Sequence, residues 1–158
     1  MEDIWNITAL VVSVLSVLLS LYALRQATTK NTSDMYLFFI SQYAKEDMKL
    51  ALRKFKDIKR GVYRLEQWES DMKNNLPKAF EYDEARRLVK YFYDTLAYMK
   101  LEKLIEARFV RLICLKKGAW LYLDTVEAME KFFDSGYDKK PYAVIRDVCE
   151  NLRKEGCC

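Results

Sequence analysis

The chain has 158 residues, 51% of them hydrophobic and 14% aromatic, with only 4 Gly and 2 Pro, a mix that excludes a disordered tail or a turn-rich sandwich and favours packed helices. No Lys or Arg precedes Arg25, so the stretch beyond Leu24 carries 27 basic and 21 acidic residues, a net +6; that excess suits a surface near anionic lipid and falls short of the dense basic footprint of a nucleic-acid binder. Four cysteines without a CxxC pair, and no His at all, exclude the usual zinc spacings and the Ser-His and Cys-His nucleophile arrangements.

From Ile4 to Leu24 the chain runs 21 residues without a charge, and at about 1.5 Å per residue this reaches roughly 30 Å, the thickness of a bilayer's hydrocarbon core. Trp5 and Tyr22 sit near its two ends, where amphipathic rings meet head groups, and Arg25 with Lys30 supplies the positive flank. The pattern predicts a single-pass anchor over 1–28 in the cell membrane, with the N-terminus outside and the C-terminal domain cytoplasmic. A cleaved signal peptide fits less well, because the start is acidic and Tyr22-Ala23-Leu24-Arg25 offers no small-residue cleavage site. Within the span Ala9, Ser13, Ser16, Ser20, Ala23 and Ala27 recur at intervals of 4, 3, 4, 3 and 4. This stripe of small residues permits close helix approach in lipid, and hence self-association.

Residues 29–33 read as a polar hinge, with Ser33 or Asp34 placed to cap the next helix. A helical domain is expected over 34–155 and a short tail over 156–158. Tyr36, Leu37, Phe39, Ile40 and Tyr43 form a first apolar stripe; Met48, Leu52, Phe55, Ile58 and Val62 form a second, with a break expected at 45–47. Asn74-Asn75-Leu76-Pro77 reads as a connector, since proline disfavours helical geometry in the residue before it. A helix then starts near Asp83, with Ala85, Leu88, Val89, Phe92, Leu96 and Met99 inward, continued by Leu104, Ile105, Phe109, Leu112 and Ile113. Lys116-Lys117-Gly118 is a stop signal. Trp120, Leu123, Val126, Met129 and Phe133 mark a further helix, and Pro141 opens the last one, with Val144, Ile145, Val148 and Leu152 inward. The fold class expected is all-α: one transmembrane helix followed by an irregular bundle of five to seven helices.

No phosphate-binding loop, dinucleotide turn, internal repeat or low-complexity tract is present. Acid pairs occur at Glu46-Asp47, Asp83-Glu84 and Glu127 with Glu130, each expected on a solvated helix face, so no catalytic residue, metal ligand or cofactor is assigned. Arg53, Lys54, Lys56, Lys59, Arg60 and Arg64 form the densest basic run and could rest on the inner membrane surface, an ordinary solvated face being the competing reading. Cys114 and Cys149 fall in apolar patterns as small core residues of a reducing compartment. Cys157 and Cys158 read as two reactive thiols on a disordered end, prenylation in a eukaryotic source being the alternative.

Phe92-Tyr93-Asp94, Leu96-Ala97, Leu104-Ile105-Glu106, Trp120, and Tyr142 with Arg146 together resemble an uncharacterised family of bacterial and archaeal proteins. The resemblance covers roughly residues 1 to 155. It implies one N-terminal span and a cytoplasmic helical domain, with no activity to carry over. Where that pattern has glycines this chain has Ala97 and Lys103.

Together these features point to a membrane-tethered, non-catalytic helical interaction module whose partners are the lipid bilayer, a second copy of itself through the span, and a cytoplasmic protein, with no nucleic acid expected. An anchored enzyme with an unrecognised site and a small oligomeric channel are the alternatives. A pocket of convergent charges would mark the first, and conductance dependent on Ser13, Ser16 and Ser20 the second.

Overall fold

The computed structural model describes the backbone of residues 2–134 and 136–157, and the side chains of 15–23, 26 and 33 onward within those ranges. All regular structure among the described residues is helical. The elements are α1 (Glu2–Ala44), α2 (Glu46–Lys59), α3 (Leu65–Lys73), α4 (Pro77–Leu101), α5 (Ala107–Cys114), α6 (Gly118–Leu121), a π-helical stretch (Tyr122–Val126), α7 (Glu127–Phe133) and α8 (Lys140–Lys154). The chain divides into two units, one ending at Met35 and the other beginning at Tyr36.

In the first unit Leu15, Val17, Leu18, Leu19, Leu21 and Tyr22 are all exposed. Their side chains cover more than half of the helix circumference, with Ser16 and Ser20 exposed on the remaining side, because consecutive positions advance about 100° around its axis. The Ser20 hydroxyl donates 2.8 Å to the Ser16 carbonyl, which satisfies a polar group on an otherwise apolar surface. Among the described residues no helix is long and apolar enough to cross a membrane. The span expected from Ile4 to Leu24 lies largely outside the residues whose side chains are described, as do Ala9 and Ser13 of the small-residue stripe. The hinge expected over 29–33 is helical backbone within α1, so Ser33 and Asp34 have no helix start to cap. Thr and Asn lower helix propensity by a few tenths of a kcal/mol each, and extending an existing helix avoids the cost of nucleating a new one.

In the second unit α4 is the central element, packed against α2, α8, α3, α5 and the π-helical stretch. Its buried face runs Ala79, Tyr82, Ala85, Val89, Phe92, Tyr93, Leu96 and Ala97, a spacing of three and four that keeps one side of a helix continuous. The helix starts at Pro77 and not near Asp83, because proline at the first position is already set to helical φ. A chain of rings crosses the core: Phe39, Phe92, Tyr93, Tyr122, Tyr142 and Tyr137 succeed one another at centroid distances of 5.3, 5.0, 5.0, 4.5 and 5.5 Å.

Four helices end in the same way. The residue two past the last helical position is left-handed at Gly61 (φ 75°), Asn75 (φ 54°), Lys103 (φ 56°) and Gly156 (φ 74°). The amide after each returns to the last turn: Val62 to the Asp57 carbonyl, Leu76 to Asp71, Leu104 to Met99 and Cys157 to Leu152, all at 2.9 or 3.0 Å. This is the Schellman closure, which satisfies carbonyls the helix end would otherwise leave open. Gly156 and Cys157 therefore belong to the end of α8, where the sequence reads as a loose tail. Lys103 divides the single helical face expected from Ala85 to Ile113, and Leu104, past the turn, is exposed.

Gly118 is a correction. It does not stop a helix but opens α6, where it is buried, and a Cβ there would lie 2.7 Å from the Tyr93 hydroxyl and 2.9 Å from that of Tyr43. Its amide donates 3.3 Å to the Tyr43 hydroxyl. Glycine is required here because two tyrosine rings meet the backbone.

Candidate functional site

Three features of the second unit carry polar or exposed apolar chemistry. The first overturns the solvated reading of two acid pairs. Asp83, Glu127 and Glu130 are buried, whereas Glu46, Asp47 and Glu84 are exposed as expected. Asp83 accepts from Arg86 at 2.8 Å and from Arg87 at 2.9 Å. The Arg86 guanidinium also pairs with Glu130 of α7 and lies 4.6 Å from the Phe133 ring centre. Lys90 donates 2.6 Å to Asp94 and lies 3.8 Å from Glu130. Tyr122 donates to the other oxygen of Asp94 at 2.5 Å. Glu127 accepts from Tyr137 at 2.6 Å and pairs with Arg146. Asp83, Asp94, Glu127 and Glu130 thus face Arg86, Arg87, Lys90 and Arg146 in a balanced set that joins α4, α7 and α8. An uncompensated charge there would be costly, which is why the set is paired throughout.

The sequence does contain a signal for this set. Asp83, Arg86, Arg87, Lys90 and Asp94 stand three and four apart, the spacing at which opposite charges meet on one helix. What the sequence hides is the π-helical stretch, whose wider turn starts at buried Tyr122. Such turns are rare and recur at functional sites.

The balanced set opens to solvent at a cleft of about 430 Å³ lined by Glu127, Tyr142 and Arg146 together with Lys139, Asp147 and Glu150. The Tyr142 hydroxyl has no hydrogen-bond partner among the described residues. Burial pushes the Tyr142 phenol well up, and burial, then the charge of Asp94, does the same at Tyr122. Burial and the bond to Glu127 push Tyr137 up to about 12. These phenols therefore stay protonated at neutral pH, and those of Tyr122 and Tyr137 serve as hydrogen-bond donors, not bases. Among the described residues no group of three or more Cys, Asp or Glu is placed to hold a metal ion.

The second feature is an apolar groove of about 270 Å³ between the end of α1, the start of α2 and α4, lined by Phe38, Phe39, Met48, Leu88, Tyr91 and Phe92 with Lys45 and Asp47 at its edge. Phe38 and Tyr91 are 54% and 73% exposed. Adjacent Phe38 and Phe39 cannot share one face of a helix: Phe39 enters the core, and Phe38 remains outside.

The third is the basic run, which the structure divides. Lys54 turns to Glu81 at 3.2 Å and Lys59 to Asp124 at 2.6 Å. Arg53, Lys56, Arg60 and Arg64 remain exposed. At the C-terminal end of α2 a cleft of about 280 Å³ gathers Lys56 and Lys59 with Lys117, Trp120 and Leu121 from the start of α6, residues that the sequence does not associate with α2.

Of the residues that carry the family resemblance, Phe92 and Tyr93 are buried, Asp94 joins the paired set through Lys90 and Tyr122, and Tyr142 with Arg146 lines the polar cleft. No family model matches the chain, and no curated protein and no solved structure matches it either.

Proposed function

We propose that the chain is a membrane-tethered helical interaction module; the family resemblance implies only the span and the helical domain. The observation that carries the tether is the broad exposed apolar face of α1 at Leu15, Val17, Leu18, Leu19, Leu21 and Tyr22. Surrounded by water, such a surface is strongly unfavourable; surrounded by lipid it is at home. The uncharged stretch extends upstream to Ile4, and Arg25 with Lys30 follows it, which supports an N-terminus outside and a cytoplasmic helical domain. The groove at Phe38 and Tyr91 suits the apolar face of an amphipathic helix from a cytoplasmic partner. The Ala9, Ser13, Ser16, Ser20 and Ala23 stripe supports pairing of two copies within the bilayer.

Expression of the full chain with a C-terminal reporter tests the tether. Retention in the membrane pellet through an alkaline carbonate wash, with the reporter on the cytoplasmic side, is expected. Full-length protein that stays soluble without detergent, or a reporter on the outer side, ends this reading. Leucine at Ser13, Ser16 and Ser20 together is expected to abolish crosslinked dimers in membranes. Unchanged crosslinking would remove the paired state and leave the tether standing.

A further inference from the structure

We propose that the C-terminal half of α2, the 60–64 loop and the start of α6 form a docking surface for an anionic phospholipid bilayer. The proposal rests on the tether reading for the presence of a bilayer, but its chemistry stands on this surface alone. Arg53, Lys56, Arg60, Arg64, Lys116 and Lys117 are exposed, and among the described residues none of them makes an ion pair. On α2 itself Lys54 and Lys59 turn to Glu81 and Asp124, which leaves these six cations to set the charge of the surface. A cluster left uncompensated on one side attracts an anionic sheet of head groups.

Two further features select lipid over other polyanions. Val62, between Arg60 and Arg64, is 70% exposed at the tip of the turn that Gly61 closes, an apolar side chain flanked by cations, as in shallow interfacial insertion. Trp120 lies half-buried in the cleft among Lys56, Lys59 and Lys117, and an indole with one apolar and one polar edge favours the head-group zone. A nucleic acid would answer the charges but offers no apolar phase for Val62.

The test uses the full chain, reconstituted at one protein-to-lipid ratio into nanodiscs of phosphatidylcholine and of phosphatidylcholine with phosphatidylserine. A Val62→Cys probe in a Cys157→Ser, Cys158→Ser background is labelled with a maleimide. Labelling is expected to be about fivefold slower in the anionic discs, with the difference lost at high salt and in the variant Lys56→Glu, Arg60→Glu, Lys117→Glu. These positions are exposed, and an unchanged circular dichroism melt verifies that the fold persists. Equal labelling in both lipids overturns the proposal. So does slowing that appears only when RNA is added, which would assign the surface to nucleic acid. If the chain fails to enter discs of either kind, the tether reading falls separately: salt-sensitive flotation of the same protein with anionic but not neutral vesicles then still upholds the surface, and flotation with neither overturns it.

Discussion

At single positions the structure separates residues that look alike in sequence. Gly61 and Gly118 both follow basic residues near a helix end, yet one supplies a left-handed φ with open space around it and the other supplies only the absence of a side chain. Gly118→Ala is therefore expected to lower stability by about 1–3 kcal/mol, since its methyl must push aside the buried Tyr93 hydroxyl and the Tyr43 ring; a urea melt measures it. Lys103 sits at φ 56° where two of the four helix ends use glycine, so Lys103→Gly should raise stability by about 0.5–1 kcal/mol, the relief of the left-handed strain less the extra freedom of the unfolded chain. The stacked tyrosines divide in the same way. Tyr122→Phe removes the 2.5 Å donor of Asp94 and is expected to cost about 1–3 kcal/mol. Tyr142→Phe removes a hydroxyl with no partner among the described residues and should be neutral within about 0.5 kcal/mol or stabilising. A loss at Tyr142 as large as at Tyr122 would mean that its hydroxyl is bridged.

Between elements, the balanced set of charges explains why α7 is held to α4. Arg86 is the shared member, bound by Asp83 on its own helix and paired with Glu130 across the gap. Arg86→Met leaves Glu130 with only Lys90 at 3.8 Å and should cost about 3–5 kcal/mol, while Arg86→Met combined with Glu130→Leu should recover much of that loss, because both charges then leave the interior together. A thermal melt of the single and double variants reads the difference. Most elements were legible from period alone: the breaks at Lys45 and in the Asn74–Pro77 turn, the faces carrying Met48, Leu52 and Phe55 or Val89, Phe92 and Leu96, and the last helix opening at Pro141 all follow from apolar spacing and proline. The paired set was not read because isolated acid pairs are usually solvated and the partner of Glu130 lies on another helix. Nor could the sequence show Lys117 and Trp120 beside Lys56, since a contact between α2 and α6 has no local signature. Both misses are tertiary: spacing along one helix says which residues share a face, and leaves open what that face meets.

Across the helical domain the buried tyrosines set how the fold answers alkali. Tyr63, Tyr93, Tyr122, Tyr137 and Tyr142 are all raised, in each case by burial first, and Tyr137 stands at about 12. In the unfolded chain a tyrosine titrates near about 10. The folded state thus binds its phenolic protons more tightly than the unfolded one, and the stability this provides is fully present below pH ~10 and is lost as pH climbs through the folded values. Since several such rings stack in one continuous chain from Tyr93 to Tyr137, ionising one places a charge in the core that holds the others. The transition should be cooperative. We expect tyrosinate absorbance from these rings to rise together with the loss of helical circular dichroism, in one step above pH ~11. Tyr142→Phe should move that step to higher pH, because it removes one of the phenols whose ionisation on unfolding drives the transition while leaving stability at neutral pH almost unchanged. Absorbance that reaches the value for all eleven tyrosines while helicity is retained would mean that the buried rings ionise in the folded domain, and that the stack does not bind the helices as described.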